Sequence, residues 1–500
     1  MPLKRRRREG RRRQWQWLWA LAPFAAVFAS HALLLDLPLF WDELGYFVPA
    51  ALDLFRHGFW IPQSVPPSAH PPGLSLYLTG VWTLTGYSIP ATRVAMLLLA
   101  GASLGAVFLL AVAVCRNVRG VPALLAVLAL AISPLFVTQS MLAQLDMPAM
   151  LWTTLAFLLF LRERHGWAAA VCVVLVLFRE TGVIVPVIFA LWLLCELRPR
   201  DAWPYVVAPA VLGVWFVILT LRAGTPMGNE AFASYNLTFL LHPVRAGLAL
   251  TRRLYFLFFA NGHWIGTLGL AFGLVLGGIY EGRAWRVLAV LLAAHILMFS
   301  LFGGAVLERY LLPVLPLLYI AMLAGWMACP MPWGLAAPVV LLASLLVANF
   351  WHPPFPFSYE NNLVMVDFVH LQKTAVTFVE SELPAARVAS AWPATAAFRD
   401  PEFGYARYRR EVSELSGFSA EALAALDQPP EVLVIFPRHW EAPFGLARLG
   451  FARTLWRRHF GANDRAGPGE IARYGLRLAN RWSRGGQWIE VWVRGPDALQ

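Results

Sequence analysis

Long apolar runs separated by short polar segments fill the first 350 residues, and this pattern predicts membrane-spanning helices. A helix needs about 20 apolar residues to cross the hydrocarbon core of a bilayer. Eleven segments approach or meet that length, at roughly 15–35, 91–115, 121–138, 146–161, 167–178, 183–197, 203–221, 264–280, 287–302, 310–328 and 334–350. Because eleven is odd, we expect the two ends of the chain to lie on opposite sides of the membrane.

Basic residues are concentrated on one side of this predicted arrangement. Eight lie in the tail before the first span, and eight more lie in the four short loops on the same side. The loops on the other side also carry eight, but over much longer segments. Since basic residues favour the cytoplasmic side, we expect a multi-pass protein of the cytoplasmic membrane with a cytoplasmic amino terminus.

One step of this topology depends on the turn Arg179-Glu180-Thr181-Gly182, in the middle of the apolar stretch 167–197. A single long helix there would reverse every later segment and would place two basic loops outside. The charge distribution therefore favours two short helices that meet at this turn, with Arg179 and Glu180 below the outer surface. Charge at membrane depth is costly and indicates a functional site.

The first outer loop, 36–90, shows helical spacing of apolar residues but is too polar to span the membrane. It predicts two amphipathic helices on the outer surface. The apolar residues of these two helices are Leu44, Phe47, Val48, Leu52 and Phe55 in the first, and Leu74, Tyr77, Leu78, Trp82 and Leu84 in the second.

The composition changes after residue 350, where a Pro-rich linker begins. Residues 351–500 hold 33 of the 70 charged residues. A helix around 361–382 is expected there, followed by strands and helices that alternate, with strands at 387–398, 431–436 and 487–493 and helices at 419–426 and 443–458. This alternation predicts a small α/β domain, so the chain divides into a membrane domain, 1–350, and a periplasmic or extracellular domain, 351–500.

Composition and charge exclude several classes of protein. The chain is 59% hydrophobic and 14% charged, whereas soluble domains carry about 25% charged residues. The net charge of +12 does not indicate a nucleic-acid partner, because eight basic residues form one block directly before an apolar run that opens with three Trp residues. None of the four cysteines follows Cys329, and no CxxC or Cys/His pattern for zinc is present.

Ionisable residues recur at the outer ends of the predicted spans. They lie in the segments Asp42-Glu43, His70-Pro71-Pro72, Asp146-Met147-Pro148, Arg179-Glu180 and Glu308-Arg309-Tyr310. Each acid alone is explained by helix capping or by the helix dipole. Their shared position predicts that they converge on one cavity at the level of the lipid headgroups.

These segments occur in the order seen in GT-C glycosyltransferases, which the chain resembles over most of residues 15–330. The resemblance rests on Asp42-Glu43, His70-Pro71-Pro72, Leu145-Asp146-Met147-Pro148, Arg179-Glu180-Thr181-Gly182 and Arg309-Tyr310-Leu311-Leu312-Pro313. It is closest to the branch that holds protein O-mannosyltransferases and the lipid A aminoarabinose transferase. It implies an α-helical polytopic fold and transfer of a sugar from a polyprenyl-phosphate donor, with inversion, at the outer face of the membrane.

The resemblance also implies roles for three acids. Asp42 is expected to be the general base or to orient the acceptor, and Glu43 and Asp146 are expected to shape the sugar pocket. Some relatives bind a divalent cation near these acids, and carboxylate oxygens are suitable ligands for Mg²⁺ or Mn²⁺. We expect no obligatory metal.

The remaining site residues are expected to bind the donor and to position substrate. Arg179 and Arg309, with Tyr310, would hold the phosphate, because a guanidinium fork matches phosphate oxygens. His70 and Glu180 would position a substrate.

Two other functions, and the identity of the acceptor, stay open at this point. A transporter or flippase of lipid-linked sugars would also need many spans, although such proteins carry charges near the midplane and within repeated halves. A non-catalytic membrane scaffold would leave the one-sided charges unexplained. The acceptor could be a glycolipid such as lipid A or lipopolysaccharide core, a cell-envelope glycan or a protein hydroxyl.

Overall fold

The structure, a computed structural model, describes residues 21–237, 242–276, 278–302, 306–351, 359–426, 428–438, 449–460 and 465–495. Helices make up the chain as far as residue 348, and a five-stranded sheet follows within residues 388–494. The predicted combination of a helical part with a small sheet is therefore confirmed.

A helix lies at each of the eleven predicted spans. Among the described residues, four helices are long and apolar enough to cross a membrane alone: Ile89–Val114, Pro199–Ala223, Arg283–Leu301 and Glu308–Met327. Two bent pairs reach that length together, Pro122–Ile132 with Pro134–Met141 and Pro243–Phe258 with Ala260–Val275. Five apolar helices are shorter: Leu21–Leu34, Asp146–Leu161, His165–Phe178, Glu180–Cys195 and Trp333–Ala348. A multi-pass membrane protein follows from these helices, while the number of eleven crossings stays a prediction.

The chain breaks at the 179–182 turn, as the charge distribution predicts. Helix His165–Phe178 ends before Arg179, whose backbone is extended at φ −148° and ψ 118°. A single turn, Glu180–Val183, leads into helix Ile184–Cys195. Because the chain reverses direction here, the side chains of Arg179 and Glu180 face the elements packed around the turn and do not lie on one continuous helix.

The two helices predicted for residues 36–90, the segment predicted to be the first outer loop, are present. They are Val48–His57, preceded by the single turn Glu43–Phe47, and Gly73–Thr85. Nearly all of their predicted apolar residues are buried or half-buried, which confirms the two faces; Leu84, at 88% exposed, departs from the pattern. It lies in the last turn of its helix, where a side chain has few neighbours.

Two helices of the membrane part approach each other closely at a pair of glycines. A Cβ atom at Gly325 of helix Leu315–Met327 would lie 1.9 Å from the carbonyl oxygen of Gly269 in helix His263–Val275. Only glycine fits such an approach, and small residues at helix contacts are typical of membrane proteins. This packing fixes the helix that continues directly from the turn Glu308–Val314.

In the sheet that follows the membrane part, four strands run in one direction and one strand runs in the opposite direction. The strands are β1 Val388–Ala391, β2 Val412–Leu415, β3 Val432–Ile435, β4 Leu476–Arg484 and β5 Gln487–Arg494. Their order is β2-β1-β3-β5-β4, and β5, between β3 and β4, is the strand that runs opposite to the other four. The other helices here are Met365–Glu382, Ala394–Arg399, Ala420–Ala424, Gly450–Phe460 and Pro468–Ala472.

Several predicted elements of this part need correction. The predicted strand 387–398 is wrong beyond residue 391, because Pro393 cannot extend a strand and a helix, Ala394–Arg399, follows it. Strands β2 and β4 were not expected. Residues 443–448 of the predicted helix 443–458 lie outside the described residues, and the described helix begins at Gly450.

The sheet is joined to the first outer loop by aromatic packing. The ring of Trp41 lies 6.1 Å from that of Trp392 and 6.3 Å from that of Phe436, two residues that directly follow β1 and β3. Trp392 Nε1 also donates to the carbonyl of Gly45 at 3.3 Å. A Cβ atom at Gly45 would lie 2.3 Å from that nitrogen, so the approach requires glycine.

Candidate active site

Arg309 lies at the centre of a buried cluster of charged side chains. Its guanidinium donates through Nη2 to Asp42, and its Nη1 lies 2.8 Å from Glu360 Oε2. Its Nε lies 3.4 Å from Asp146 Oδ2. One cation is thus shared by three carboxylates, which come from the segment 36–90, the start of a membrane helix and the segment before the sheet.

Arg179 is the second cation of this cluster. It donates through Nη1 to Asp146 Oδ1 and through Nε to Thr181 Oγ1, the latter at 3.1 Å. Its guanidinium lies over the rings of Tyr310, at 4.7 Å, and Phe299, at 5.2 Å. Cation–π contacts of this kind add to the attraction between the charged groups.

We call Asp42, Asp146, Arg179, Arg309 and Glu360 the buried cluster. Asp42 is the most accessible member, with 19% of its side chain exposed, whereas the other four are 1–5% exposed. Burial of so many charges is unfavourable unless they are paired. The arrangement leaves Asp42 as the carboxylate that a substrate can approach.

Asp146 and Arg309 reach the cluster because of where their helices begin. Asp146 is the first residue of helix Asp146–Leu161, and its carboxylate is favoured there by the helix dipole. Arg309 lies in the turn Glu308–Val314, which precedes helix Leu315–Met327 and contains Pro313. Tyr310 follows directly, and its ring stacks on Phe299 at 5.2 Å.

His70 and Glu180 form a second pair beside this cluster. His70 Nδ1 lies 2.8 Å from Glu180 Oε2, and both side chains are below 20% exposed. His70 also contacts the rings of Phe47 at 5.9 Å and Tyr46 at 6.4 Å. The pair joins the first outer loop to the 179–182 turn, so the structure brings these two predicted positioning residues together.

Tyr46 is held in the same part of the outer loop. Its hydroxyl lies 2.5 Å from Ser68 Oγ. Burial raises the pKa of Tyr46 to about 12, so its hydroxyl stays protonated at neutral pH.

Glu43 is the one predicted site residue that the structure keeps apart from these groups. Its carboxylate accepts two hydrogen bonds from Arg93, at 2.6 and 2.7 Å, and others from the backbone N–H groups of Phe40 and Ala143. Glu43 and Arg93 are both fully buried. All the acceptor positions of this carboxylate are engaged, which describes a structural ion pair rather than a pocket-lining group.

Arg93 holds three chain segments together through the same pair. It also donates to the carbonyl oxygens of Met141 at 2.8 Å, Leu37 at 3.1 Å and Pro38 at 3.2 Å. The segment directly before Asp42 and the one directly before Asp146 are therefore tied to one side chain.

Two functional candidates were missed by sequence reasoning. Glu360 lies after the last predicted span, in a stretch with no periodic pattern, and Gln144 Nε2 donates to its Oε1 at 2.7 Å. Arg253, on helix Pro243–Phe258, is 1% exposed, and its Nε and Nη2 have no hydrogen-bond partner among the described residues. The adjacent basic residues Arg252 and Arg253 were visible in the sequence, but no pattern distinguished the buried one.

The helix of Arg253 is tied to the cluster through its neighbour. Arg252 Nε lies 2.6 Å from Glu308 Oε1, in the residue before Arg309. A buried guanidinium with unsatisfied donors is unfavourable unless an anion joins it, so this corner of the molecule is suited to a negatively charged ligand.

The acids expected near a divalent cation are paired with arginines in this arrangement. Asp42 and Asp146 direct oxygens at guanidinium groups, and in the part of the chain that the structure describes no three His, Cys, Asp or Glu residues are grouped as metal ligands. The dependence of the reaction on metal stays a prediction.

Two crystal structures of ArnT from Cupriavidus metallidurans are similar to this chain, with a TM-score of 0.54 and 16% identity for the apo state. The state bound to undecaprenyl phosphate has a TM-score of 0.53 and 14% identity. Each comparison covers 97% of this chain and 99% of ArnT. The oligosaccharyltransferase AglB from Archaeoglobus fulgidus, in complex with a peptide and a dolichol-phosphate, is more distant, with a TM-score of 0.49 and 12% identity over 95% of this chain and 74% of AglB.

No family model matches the sequence, and no curated protein matches it either. At these identities the likeness to ArnT concerns the fold alone. It agrees with the resemblance carried by the five sequence segments, and the chain has the GT-C fold that those segments predict.

Proposed function

We propose that this protein is an inverting glycosyltransferase that moves a sugar from a polyprenyl-phosphate donor to an acceptor hydroxyl at the outer face of the cytoplasmic membrane. The observation that carries the proposal is the buried cluster, in which two guanidinium groups and three carboxylates meet at the ends of apolar helices. Such a cluster supplies both elements that this reaction needs, namely positive charge for a phosphate and a base for a hydroxyl.

The arginines would stabilise the departing phosphate. When the bond between the anomeric carbon and the phosphate oxygen breaks, negative charge develops on the phosphate. Arg179 and Arg309 present guanidinium forks that match phosphate oxygens. Arg253 adds a third buried cation, whose Nε and Nη2 donors have no partner in the part of the chain that the structure describes. Because the phosphate is a weak base, the leaving group needs no general acid.

Asp42 would act as the general base. It is the most exposed carboxylate of the cluster, so an acceptor hydroxyl can reach it. Removal of the hydroxyl proton allows the oxygen to attack the anomeric carbon from the face opposite the phosphate. A single displacement of this kind inverts the configuration at that carbon.

Asp146 and the His70–Glu180 pair would position the reacting groups. Asp146 contacts both Arg179 and Arg309, so it sets the direction of the two forks and borders the sugar pocket. His70 and Glu180 connect the outer loop to the 179–182 turn and would orient the substrate there. Glu43 would contribute only through its structural pair with Arg93.

The outer-face location and the substrates belong to the same proposal. The amino terminus would be cytoplasmic, and residues 351–500 would form a periplasmic or extracellular domain. Undecaprenyl phosphate, which is bound in one ArnT structure, is the carrier lipid that we expect for the donor. The acceptor would be a glycolipid, an envelope glycan or a protein hydroxyl.

Glycolipid and glycan mass spectrometry of a deletion strain tests the proposal. We expect the loss of one defined sugar, restored by the wild-type gene and not by Asp42→Asn. A transporter of lipid-linked sugars would instead move the donor across proteoliposomes without forming a new glycosidic bond. Full restoration by Asp42→Asn would contradict the role of Asp42.

A further inference from the structure

A short turn between the last membrane helix and the sheet enters the buried cluster. Glu360, Asn361 and Asn362 are each 1–4% exposed. Asn361 Nδ2 donates to Glu308 Oε2 at 2.8 Å, and Asn362 Nδ2 donates to the carbonyl of Trp351 at 2.9 Å. The turn is therefore anchored by the two residues that follow Glu360, whose carboxylate has no task in the reaction as proposed above.

The Glu360 carboxylate lies against the Nη1 end of the Arg309 guanidinium. Its Oε2 receives the Nη1 donor at 2.8 Å, while its Oε1 receives Gln144 Nε2 at 2.7 Å. Its backbone carbonyl accepts from Gln139 Nε2 at 3.2 Å. A phosphate that binds Arg309 through Nη1 and Nη2 together must take the Nη1 donor that Glu360 now receives.

The net charge of the buried cluster determines whether a phosphate can bind beside Arg309. With every group ionised, the three carboxylates of Asp42, Asp146 and Glu360 (−3) and the two guanidinium groups of Arg179 and Arg309 (+2) give a net charge of −1. A phosphate would add further negative charge to a buried site. Its entry is favoured only if one carboxylate leaves its cation or becomes neutral.

We propose that Glu360 is a positioning residue of the transfer reaction, which holds the Arg309 fork in place while the site is empty and releases it to the donor phosphate. The inference rests on the proposed function. It assigns to the segment before the sheet a direct part in donor binding, in which the phosphate takes the place of the Glu360 carboxylate on Nη1.

Protonation of Glu360 accompanies this exchange. Burial raises the pKa of Glu360 to about 8, and the nearby Arg309 acts in the opposite direction. When the phosphate takes Arg309, that opposing effect is lost, so Glu360 keeps its proton at pH 7 and takes one up from solvent at a pH above about 8. Phosphate binding should therefore weaken as the pH rises through about 8, because the protonated form of Glu360 becomes scarce.

The other charged groups around Glu360 are accounted for. Asp42, Asp146 and Arg309 act on it electrostatically, and the Arg252–Glu308 pair touches the turn through Asn361. Helix Pro134–Met141 carries no charged side chain. On helix Met365–Glu382, Asp367 pairs with Arg484 of β4 at 2.6 Å.

The test is equilibrium binding of undecaprenyl phosphate to the purified full-length protein in detergent, at pH 7 and pH 9.5. Both values lie above the second phosphate pKa of about 6. We expect wild-type affinity to fall by roughly thirtyfold over this range, because the protonated fraction of a group with a pKa of about 8 falls from about nine-tenths to about one-thirtieth. Glu360→Gln keeps the oxygen that accepts from Gln144 but carries no charge, so it should bind roughly thirtyfold more tightly than wild type at pH 9.5 and show no fall.

Asn361→Ala is the matched control, because it removes an anchor of the same turn without touching Arg309. We expect it to lower thermal stability and to keep the wild-type pH dependence of binding. If Glu360→Gln does not fold, Glu360→Asp, which keeps the charge on a shorter side chain, should keep the pH dependence and bind more tightly.

Three results would overturn the inference. They are wild-type affinity that does not change between pH 7 and 9.5, Glu360→Gln affinity equal to or weaker than that of wild type at pH 9.5, and loss of the pH dependence in Asn361→Ala. A protein that binds undecaprenyl phosphate but ignores Glu360→Gln contradicts this inference alone. If no form binds the lipid at either pH, the proposed function fails together with it.

Discussion

The two ends of helix Asp146–Leu161 carry arginine–carboxylate networks of opposite character. At its start lies the buried cluster. Just beyond its other end lies an exposed network, in which Glu163 pairs with Arg198 at 2.7 Å and with Arg283. Arg283 also contacts Glu196 at 2.9 Å. The helix is 16 residues long, so these networks are about 24 Å apart.

The two networks differ in their contribution to stability, because one is exposed to solvent and the other is buried. The side chains of the exposed network are 24–46% exposed, and such pairs contribute about 0–1 kcal/mol. In the buried cluster the charges are desolvated, and apolar residues of similar size would often be as stable. Because stability alone does not require the buried cluster, we attribute its charges to function. The exposed network, in contrast, is explained as a link between loops.

The largest expected effect comes from an acid-to-amide change at the buried end. Asp42→Asn should lower the rate of sugar transfer by roughly 10²–10⁴-fold, the contribution of a general base, and leave the protein folded. The measurement is initial rate with a purified lipid-linked donor. Asp201→Asn is the control, because the Asp201 carboxylate lies 2.7 Å from Arg198 Nη2 in the exposed network. It should keep the wild-type rate; equal rates for the two variants would remove the distinction.

Breaking the structural pair beside the cluster should give the largest loss of stability. Arg93→Met leaves the Glu43 carboxylate buried without its cation, which costs about 3–5 kcal/mol. Arg283→Met in the exposed network should cost less than about 1 kcal/mol. Titration with SDS in mixed micelles measures both values. A small loss for Arg93→Met would mean that Glu43 is not a structural residue.

A change that keeps charge but removes the guanidinium fork should weaken donor binding. Arg179→Lys is expected to raise the KM for the donor by about tenfold, because a charge-assisted hydrogen bond is lost. Arg198→Lys, at the exposed end, should not change it. Steady-state kinetics with varied donor distinguishes these outcomes, and an unchanged KM in Arg179→Lys would argue against a phosphate at this position.

The smallest expected effect concerns the ring beneath the arginines. Tyr310→Leu removes the cation–π contacts with Arg179 and Arg309 and should raise the donor KM by about threefold. Tyr310→Phe keeps the ring and should behave as wild type. If Tyr310→Phe and Tyr310→Leu raise the donor KM equally, the Tyr310 hydroxyl matters rather than its ring.

Much of the helical part could be predicted because apolar length is a local property. The break at Arg179 and Glu180 followed from charge counts, and Asp146 and Arg309 were grouped because both lie at the same ends of their helices. Their direct contact was not predicted, since it depends on how the helices pack.

Glu43 and Glu360 show where sequence reasoning ends. Glu43 follows Asp42 directly, yet successive residues of a helical turn point in different directions, so one acid meets Arg309 and the other Arg93. Glu360 reaches Arg309 across 51 positions of the chain. No short pattern in the sequence encodes a contact between segments so far apart.

The contact of Trp41 with Trp392 and Phe436 bears on how this protein can be divided for experiments. The residue before Asp42 rests on side chains that directly follow two strands of the sheet, and Glu360 precedes that sheet. A fragment that stops after the last membrane helix would lack the aromatic side chains that pack on Trp41, next to Asp42. It would also lack the Glu360 carboxylate that pairs with Arg309. Chimeras that exchange the outer part between relatives should therefore be joined before residue 359 and should carry a partner for Trp41.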